Sequence, residues 1–293
     1  MSLTNTGAGQ IGMYKSPGYT TPAKLTGTPL FSQLSAAAVA SAMGAFSLRA
    51  VNGLSTGGTA KAVNIRNGTT SATQDFYADR LGNLLTAPVT GQTLSSWLGG
   101  ATGYVTTWYD QSGKGNHMSC SSTGIQPKID TANNWIDFKT SAYFDTSANP
   151  TAGPSPWDIT KRYTVTCHHN TIGNNNGGIC GSGVIPGANN KTNNFRRATG
   201  GYQSYWFNND QNGGTYATGN KVSFKWDGTN RYIYGNGTLQ TTTASSGWTQ
   251  AGSANQLIGK TTADVSMNGE MYSIFMFNTA LSDADRVLVE AAS

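Results

Sequence analysis

Charged side chains are scarce here. Only 11% of the 293 residues carry a charge, against roughly 25% in ordinary soluble domains. Glutamate is scarcer still, with Glu270 and Glu290 the only two. Runs of like charge are missing too: Lys161-Arg162 and Arg196-Arg197 are the only adjacent basic pairs, and the formal net charge of +5 is spread thinly. A nucleic-acid footprint needs cations clustered along a phosphate track, so no nucleic-acid partner is expected. Cysteine numbers three, an odd count at Cys120, Cys167 and Cys180, which excludes a disulfide framework. Cys167 sits beside His168 and His169, but neighbours on a strand face opposite sides and chelate poorly together, so no metal is expected. No stretch approaches the ~18 apolar residues of a membrane span. Residues 1–10 show neither a basic segment nor an apolar one, so no signal peptide and no membrane insertion are expected, with synthesis in a reducing cytoplasm.

Glycine is plentiful, at 37 residues, and aromatics make up 10%. Asn, Ser and Thr fill much of the remainder. These residues prefer turns, caps and strands over helix interiors, while the aromatics supply a core. The composition therefore points to an all-β protein rich in loops.

Residues 1–30 carry Tyr14, Pro17, Tyr19 and Pro22 without any apolar period. Such a segment forms no core of its own, and it reads as an extended arm that orders against a preformed surface. Residues 31–293 read as one domain. Ser35 opens the best helix candidate, running to Met43. Short strands are expected at 45–49, 60–66, 75–79, 104–109, 163–167, 178–181, 202–207, 221–226, 231–234 and 269–277, the last being the strongest. Asp227-Gly228-Thr229-Asn230 marks a hairpin turn. Asn149-Pro-Thr-Ala-Gly-Pro-Ser-Pro156 marks a break in composition, and Ser282 caps a terminal helix. Turn signals every 8–12 residues between short strands indicate a sandwich.

The densest stretch is Tyr104-Val-Thr-Thr-Trp-Tyr-Asp-Gln-Ser-Gly-Lys-Gly-Asn-His117. It begins as a strand, with Val105, Thr107 and Tyr109 expected on one face and Thr106 and Trp108 on the other. It ends in a loop where Asp110, Ser112 and Asn116 can bond nearby amides and Gly113 and Gly115 permit positive φ. Asp110 is expected to hold this turn, and His117 to pack in the loop. No Ser or Cys nucleophile stands beside the histidine.

Two resemblances follow from these residues. Tyr163-Thr-Val-Thr166, Asp227 to Gly237, Leu257-Ile-Gly259 and Gly269 to Ser282 resemble the concanavalin A-like (laminin-G-like) jelly-roll superfamily of lectins and glucanases. The resemblance implies a two-sheet jelly-roll sandwich with short peripheral helices. The segment Val105 to His117, with Ala45 to Arg49, Asn64-Ile-Arg66 and Asp75-Phe-Tyr77 upstream, is similar to the catalytic domain of the fungal arabinofuranosidase B family. It is equally similar to uncharacterised proteins of large DNA viruses of algae and amoebae.

A retaining glycosidase needs two carboxylates about 5–5.5 Å apart. The arabinofuranosidase resemblance places its nucleophilic glutamate after the strand Tyr202 to Phe207, where this chain reads Asn208-Asn-Asp-Gln211. It places the acid/base aspartate just after Gly259, where Lys260-Thr261 follow and Asp264 is displaced. Glu290, in the terminal helix, is expected to face solvent. The expectation is therefore a protein that is not an enzyme. The leading expectation is a virion structural protein, a minor capsid or appendage subunit, whose arm binds neighbouring particle proteins. The alternative is a carbohydrate-binding attachment module in which Tyr202, Tyr205 and Trp206 stack on sugar rings while Asn208 and Asp210 take hydroxyls. An arabinofuranosidase-like hydrolase comes third. Calcium would want several carboxylates in one loop. Asn208-Asn209-Asp210 falls short of that, and no cofactor is expected.

Overall fold

The computed structural model describes residues 28–52, 58–88, 90–132, 135–145, 162–173, 175–183, 192–206, 209–244, 256–261 and 265–293. The expected arm with Tyr14, Pro17, Tyr19 and Pro22 lies outside the described residues, as do the break at 149–156, Asn208 and Asp264.

The alanine run starts where its cap predicts. After one turn, α1 (Leu30–Gln33), the Ser35 side chain accepts from the Ala38 amide and opens α2 (Ala36–Ser41). The helix stops short of Met43, because Ala42 already pairs with Phe277. From there the chain runs as strand β1 (Ala42–Ser47). Tertiary pairing overrides the helical preference of the alanines. The next elements are β2 (Ala60–Asn67), β3 (Thr73–Ala78), β4 (Leu84–Leu85) and the short α3 (Leu94–Leu98), capped by Thr93. Then come β5 (Gly103–Trp108), β6 (Met118–Ser119), β7 (Lys128–Asp130), β8 (Trp135–Asp137) and β9 (Phe144–Asp145). The second half gives β10 (Tyr163–Thr171), β11 (Gly178–Gly183), β12 (Thr192–Ala198), β13 (Gly201–Tyr205) and β14 (Gln211–Gly213). It closes with β15 (Lys221–Trp226), β16 (Asn230–Gly235), β17 (Thr238–Ala244), β18 (Leu257–Ile258), β19 (Glu270–Phe277) and α4 (Asp283–Ala292).

These strands form two antiparallel sheets. The larger follows the order β17-β16-β15-β10-β19-β8-β7-β5-β2-β3-β4, with β1 also on β19 and β6 on β5. The smaller follows β14-β13-β12-β11-β18-β9. One core fills the space between them, built on Trp108, Phe138, Phe144, Tyr163, Phe195, Phe224 and Ile274 among others. A second, smaller core lies on the far side of the large sheet, where α1, α2 and α4 cover Phe275, Phe277 and Ala45. The strand expected to be strongest, β19, is buried on both faces for that reason. The architecture is the two-sheet β-sandwich with short peripheral helices.

Two expectations need correction. Val105 and Trp108 are both buried in the inter-sheet core, although strict alternation sends them to opposite faces. Thr107 pairs with Asn64 and Val105 with Ile65, so Thr106 is one residue too many in β5. This bulge resets the alternation, and the Thr106 hydroxyl donates to Asn64 Oδ1 at 2.5 Å. Glu290 does not face solvent. It lies on the inner face of α4, where its Oε1 accepts from Arg286 Nη1 and Ser223 Oγ, each at 2.6 Å. Glu270, at the start of the interior strand β19, accepts from Lys139 Nζ and Asn170 Nδ2, again at 2.6 Å each. Burial opposes its charge, but those two partners win and hold its carboxyl below the usual range.

Candidate functional site

The outer face of the smaller sheet is polar. In β12, Phe195 points to the core, so Asn194 and Arg196 point away from it. In β13, Tyr202 points inward, so Gln203 and Tyr205 point out. The register sets Asn194 beside Tyr205, Arg196 beside Gln203, and Gln203 beside Asn212 of β14. The side chains then bond along the sheet. Arg196 Nε donates to Gln203 Oε1, Gln203 Nε2 donates to Asn212 Oδ1 at 2.7 Å, and the Arg196 guanidinium lies 4.3 Å over the Tyr205 ring. Asn194 is wholly buried, Arg196 and Gln203 nearly so, Tyr205 half-buried and Asn212 exposed. Gly181 of β11 pairs with Asn194. It has to be glycine, since a Cβ there would strike Asn194 Oδ1 and the Thr261 backbone. Asp145, half-buried, occupies the far edge of this face, opposite Leu257 of β18.

This stripe holds a planar guanidinium, carboxamides and a phenol ring in a fixed arrangement. Amides both donate and accept, as sugar hydroxyls do, and a phenol ring offers a flat apolar surface to C–H groups. Of the four described residues singled out in the sequence for sugar binding, the structure puts only Tyr205 in the stripe; Asn208 lies outside the described residues. Tyr202 and Trp206 are wholly buried and unavailable for stacking. Tyr202 Oη meets His169 Nε2 at 2.8 Å, and its burial pushes the phenol pKa up. Trp206 packs edge-on against Trp226, with Arg231 4.2 Å over its ring. Asp210 is exposed, and its charge acts on the buried Arg231. The guanidinium of Arg231 donates to Ser204 O at 3.1 Å and to Asn209 Oδ1 at 3.0 Å. Sequence reasoning missed Asn194, Arg196, Gln203 and Asn212. Residues 192–198 read Thr-Asn-Asn-Phe-Arg-Arg-Ala, with no apolar alternation to signal them.

The loop after β5 does different work. Asp110 Oδ1 accepts from the amides of Ala45 (2.9 Å) and Ser112 (2.8 Å), and Oδ2 from Ser112 Oγ (2.8 Å) and the Asn116 amide (3.1 Å). Gln111 Nε2 donates to Ser47 O and Arg49 O, its Oε1 accepts from the Val51 amide, and Asn116 Nδ2 donates to Met43 O. The Gln111 amide adds a bond to Ala45 O at 2.8 Å. One edge of β1 pairs with β19; along the other, Asp110, Gln111 and Asn116 stand where a strand would. Gly113 and Gly115 hold the loop at φ of 85° and 76°. The His117 Nδ1 accepts the Asp110 amide at 3.0 Å.

No family model and no curated protein matches the chain in sequence. Among solved structures, the sandwich is similar to a GH54 α-L-arabinofuranosidase soaked with a cyclic sulfate inhibitor, at 14% identity and a TM-score of 0.58. It is similar to a glutamate-to-glutamine mutant of such an enzyme soaked with 4-nitrophenyl α-L-arabinofuranoside, at 14% identity and a TM-score of 0.59. A third likeness is to an arabinofuranosidase complexed with arabinofuranosyl-α-1,2-xylobiose, at 13% and 0.56. Each covers 86% of this chain and 62% of the other, so the chain spans about three fifths of the length of these proteins. The likeness bears out the sandwich and its arabinofuranosidase resemblance. It also corrects the expectation of a protein that is not an enzyme. The fold is the one on which these glycosidases are built, so the missing glutamate at 208–211 does not exclude catalysis.

Proposed function

We propose that this is a carbohydrate-active protein that takes a glycan on the outer face of its smaller sheet. The observation that carries the reading is the stripe of Arg196, Gln203, Tyr205 and Asn212, held on a sandwich like that of the arabinofuranosidases. Tyr205 supplies the stacking surface, the Arg196 stack fixes its ring, Gln203 orients the Asn212 amide, and the exposed Asn212 amide meets hydroxyls. Hydrolysis of an arabinofuranosyl linkage is the reaction this likeness puts first. It needs two carboxylates across the bond; Asp145 and Asp210 lie at opposite edges of the six-stranded sheet and are too far apart to be that pair. The test is incubation with 4-nitrophenyl α-L-arabinofuranoside and with arabinose-substituted xylo-oligosaccharides. Nitrophenol release or saturable oligosaccharide binding, reduced about tenfold or more by Tyr205→Ala, supports the proposal. The absence of both release and binding in a folded protein overturns it.

A role as a particle subunit is a separate proposal, favoured by the Tyr- and Pro-bearing segment 1–30 and by the viral likeness of its loop motif. Its test is whether the protein is present in purified particles of its source.

A further inference from the structure

A cavity of about 270 Å³ lies on the large sheet, between the start of β2 and the loop after β5. Asn52, Ala60, Lys61, Tyr109, Asp110, Gln111, Gly113 and His117 line it. Its size suits one small molecule, just under the roughly 300–1,000 Å³ of larger ligand pockets.

The groups around it are arranged in one sense. Asp75 accepts from Lys61 Nζ (2.7 Å), Tyr109 Oη (2.7 Å) and Asn64 Nδ2 (2.8 Å). Burial opposes the Asp75 charge, yet these donors outweigh it and hold the carboxyl below its usual range. Burial, then the bond to Asp75, pushes the Tyr109 phenol up to about 12, so it stays protonated and keeps donating. Lys61 Nζ lies 4.4 Å over the Tyr109 ring, and Asp75 keeps it charged against its partial burial. The His117 ring stands edge-on to Tyr109 at 5.0 Å. Because its Nδ1 accepts the Asp110 amide, the ring proton sits on Nε2. Burial lowers the His117 pKa; the Asp110 charge opposes this and the Lys61 charge adds to it, and the net shift is downward. Nε2 has no partner among the described residues and is not sealed in the core.

The acceptors nearby are already engaged. Both Asp110 oxygens take two bonds each, and the Gln111 amide is committed at both ends. What the cavity offers is donors: the free protons of the Lys61 ammonium and the His117 Nε2–H, with the Ala60 methyl and the Tyr109 ring as apolar wall. A ligand here must bring acceptor oxygens. Among the described residues Lys61 is the only cation lining the cavity; it is shared with Asp75, and the Asp110 carboxylate lines the cavity too, so a monoanion fits better than a dianion.

We infer that this cavity binds the carboxylate of a small hydroxylated acid, of the size and kind of a uronic acid, between Lys61 and His117. The site is distinct from the small-sheet stripe and does not depend on it. The measurement is side-chain NMR of the His117 ring nitrogens in the full chain, titrated separately with galacturonate, galactose and inorganic phosphate. Galacturonate should shift the Nε2 signal saturably at millimolar concentration, galactose should not, and phosphate should bind more weakly. Lys61→Met should weaken galacturonate about tenfold or more, since a charge-assisted bond is lost, while Lys61→Arg should retain most of the affinity. Melting of each variant shows whether it folds; should Lys61→Met not fold, the ligand comparison on the unmodified protein decides. Equal shifts with galactose, tighter binding of phosphate, or no shift with galacturonate overturns the inference.

Discussion

Asp110 is the residue on which the β5 loop depends. A carboxylate has the capacity for four acceptor bonds, and this one fills it with three amides and a hydroxyl from both sides of the loop. Asparagine keeps one oxygen and turns an NH₂ group toward two donors. Asp110→Asn should therefore cost about 3 kcal/mol, because buried donors are left unsatisfied; chemical denaturation reads this, and an unchanged midpoint contradicts the account. The histidines make a second claim at this scale. His169 is wholly buried, and burial, then neighbouring His168, takes its pKa from 6.5 to about 3. Burial and the charges of Lys221 and Arg49 take His168 to about 4. Both stay neutral in the fold while the unfolded chain protonates near 6.5. The unfolded state thus binds more protons between those values. Stability should be full above about pH 6.5 and fall as pH drops below it, by up to about 1.4 kcal/mol per unit for His169. A melting series from neutral to about pH 4.5 checks the sign, and His169→Gln should flatten it. The loop role of Asp110 was legible because Asp, Ser and two Gly in sequence have few other uses. The partners of Asp110 on β1, 65 residues away, were not.

Elements with strong local signals were legible, and those defined by distant partners were not. Ser282 and Ser35 mark their helices by capping chemistry, and each side chain accepts the expected amide. The sequence did not show that one carboxylate joins them. Asp285 of α4 accepts from the Ser35 amide at 2.8 Å and its hydroxyl at 2.9 Å, besides the Ser282 hydroxyl at 2.8 Å. Asp285→Ala should loosen both helices from the outer face of β19 and lower stability by about 2 kcal/mol. Hydrogen exchange that rises in 36–41 and 283–292 together confirms the coupling; a change confined to α4 contradicts it. Glu290→Ala removes the 2.6 Å partner of the Arg286 guanidinium, which is 4% exposed and retains Asp283 at 3.5 Å, and should cost about 3 kcal/mol. The strand β12 carries Arg196 of the proposed glycan stripe, yet it is not among the expected strands. Phe195 is its one large apolar residue, so no hydrophobic alternation announces it. Its outward polar residues acquire meaning only beside Gln203 and Asn212 on other strands.

At the scale of the molecule, the sandwich was legible from composition and turn spacing, since scarce charge and abundant glycine, threonine and aromatics leave few alternatives. The double burial of β19 was not, because a strand covered by a second sheet and one covered by helices give the same apolar run. Ile274→Asp tests that placement: a charge in a fully buried site should cost several kcal/mol, and an unchanged melting temperature contradicts it. Function was the least legible level. Reading exposed aromatics from the sequence put Tyr202 and Trp206 at a sugar, whereas strand alternation gives the outer face to Gln203 and Tyr205. The central claim is that a glycan lies on that outer face. The most direct measurement is backbone-amide and side-chain NMR of the protein with an arabinose-substituted xylo-oligosaccharide. Saturable shifts confined to Asn194, Arg196, Gln203, Tyr205 and Asn212 are the predicted result; shifts elsewhere that leave these residues unmoved, or none at saturating ligand, contradict it.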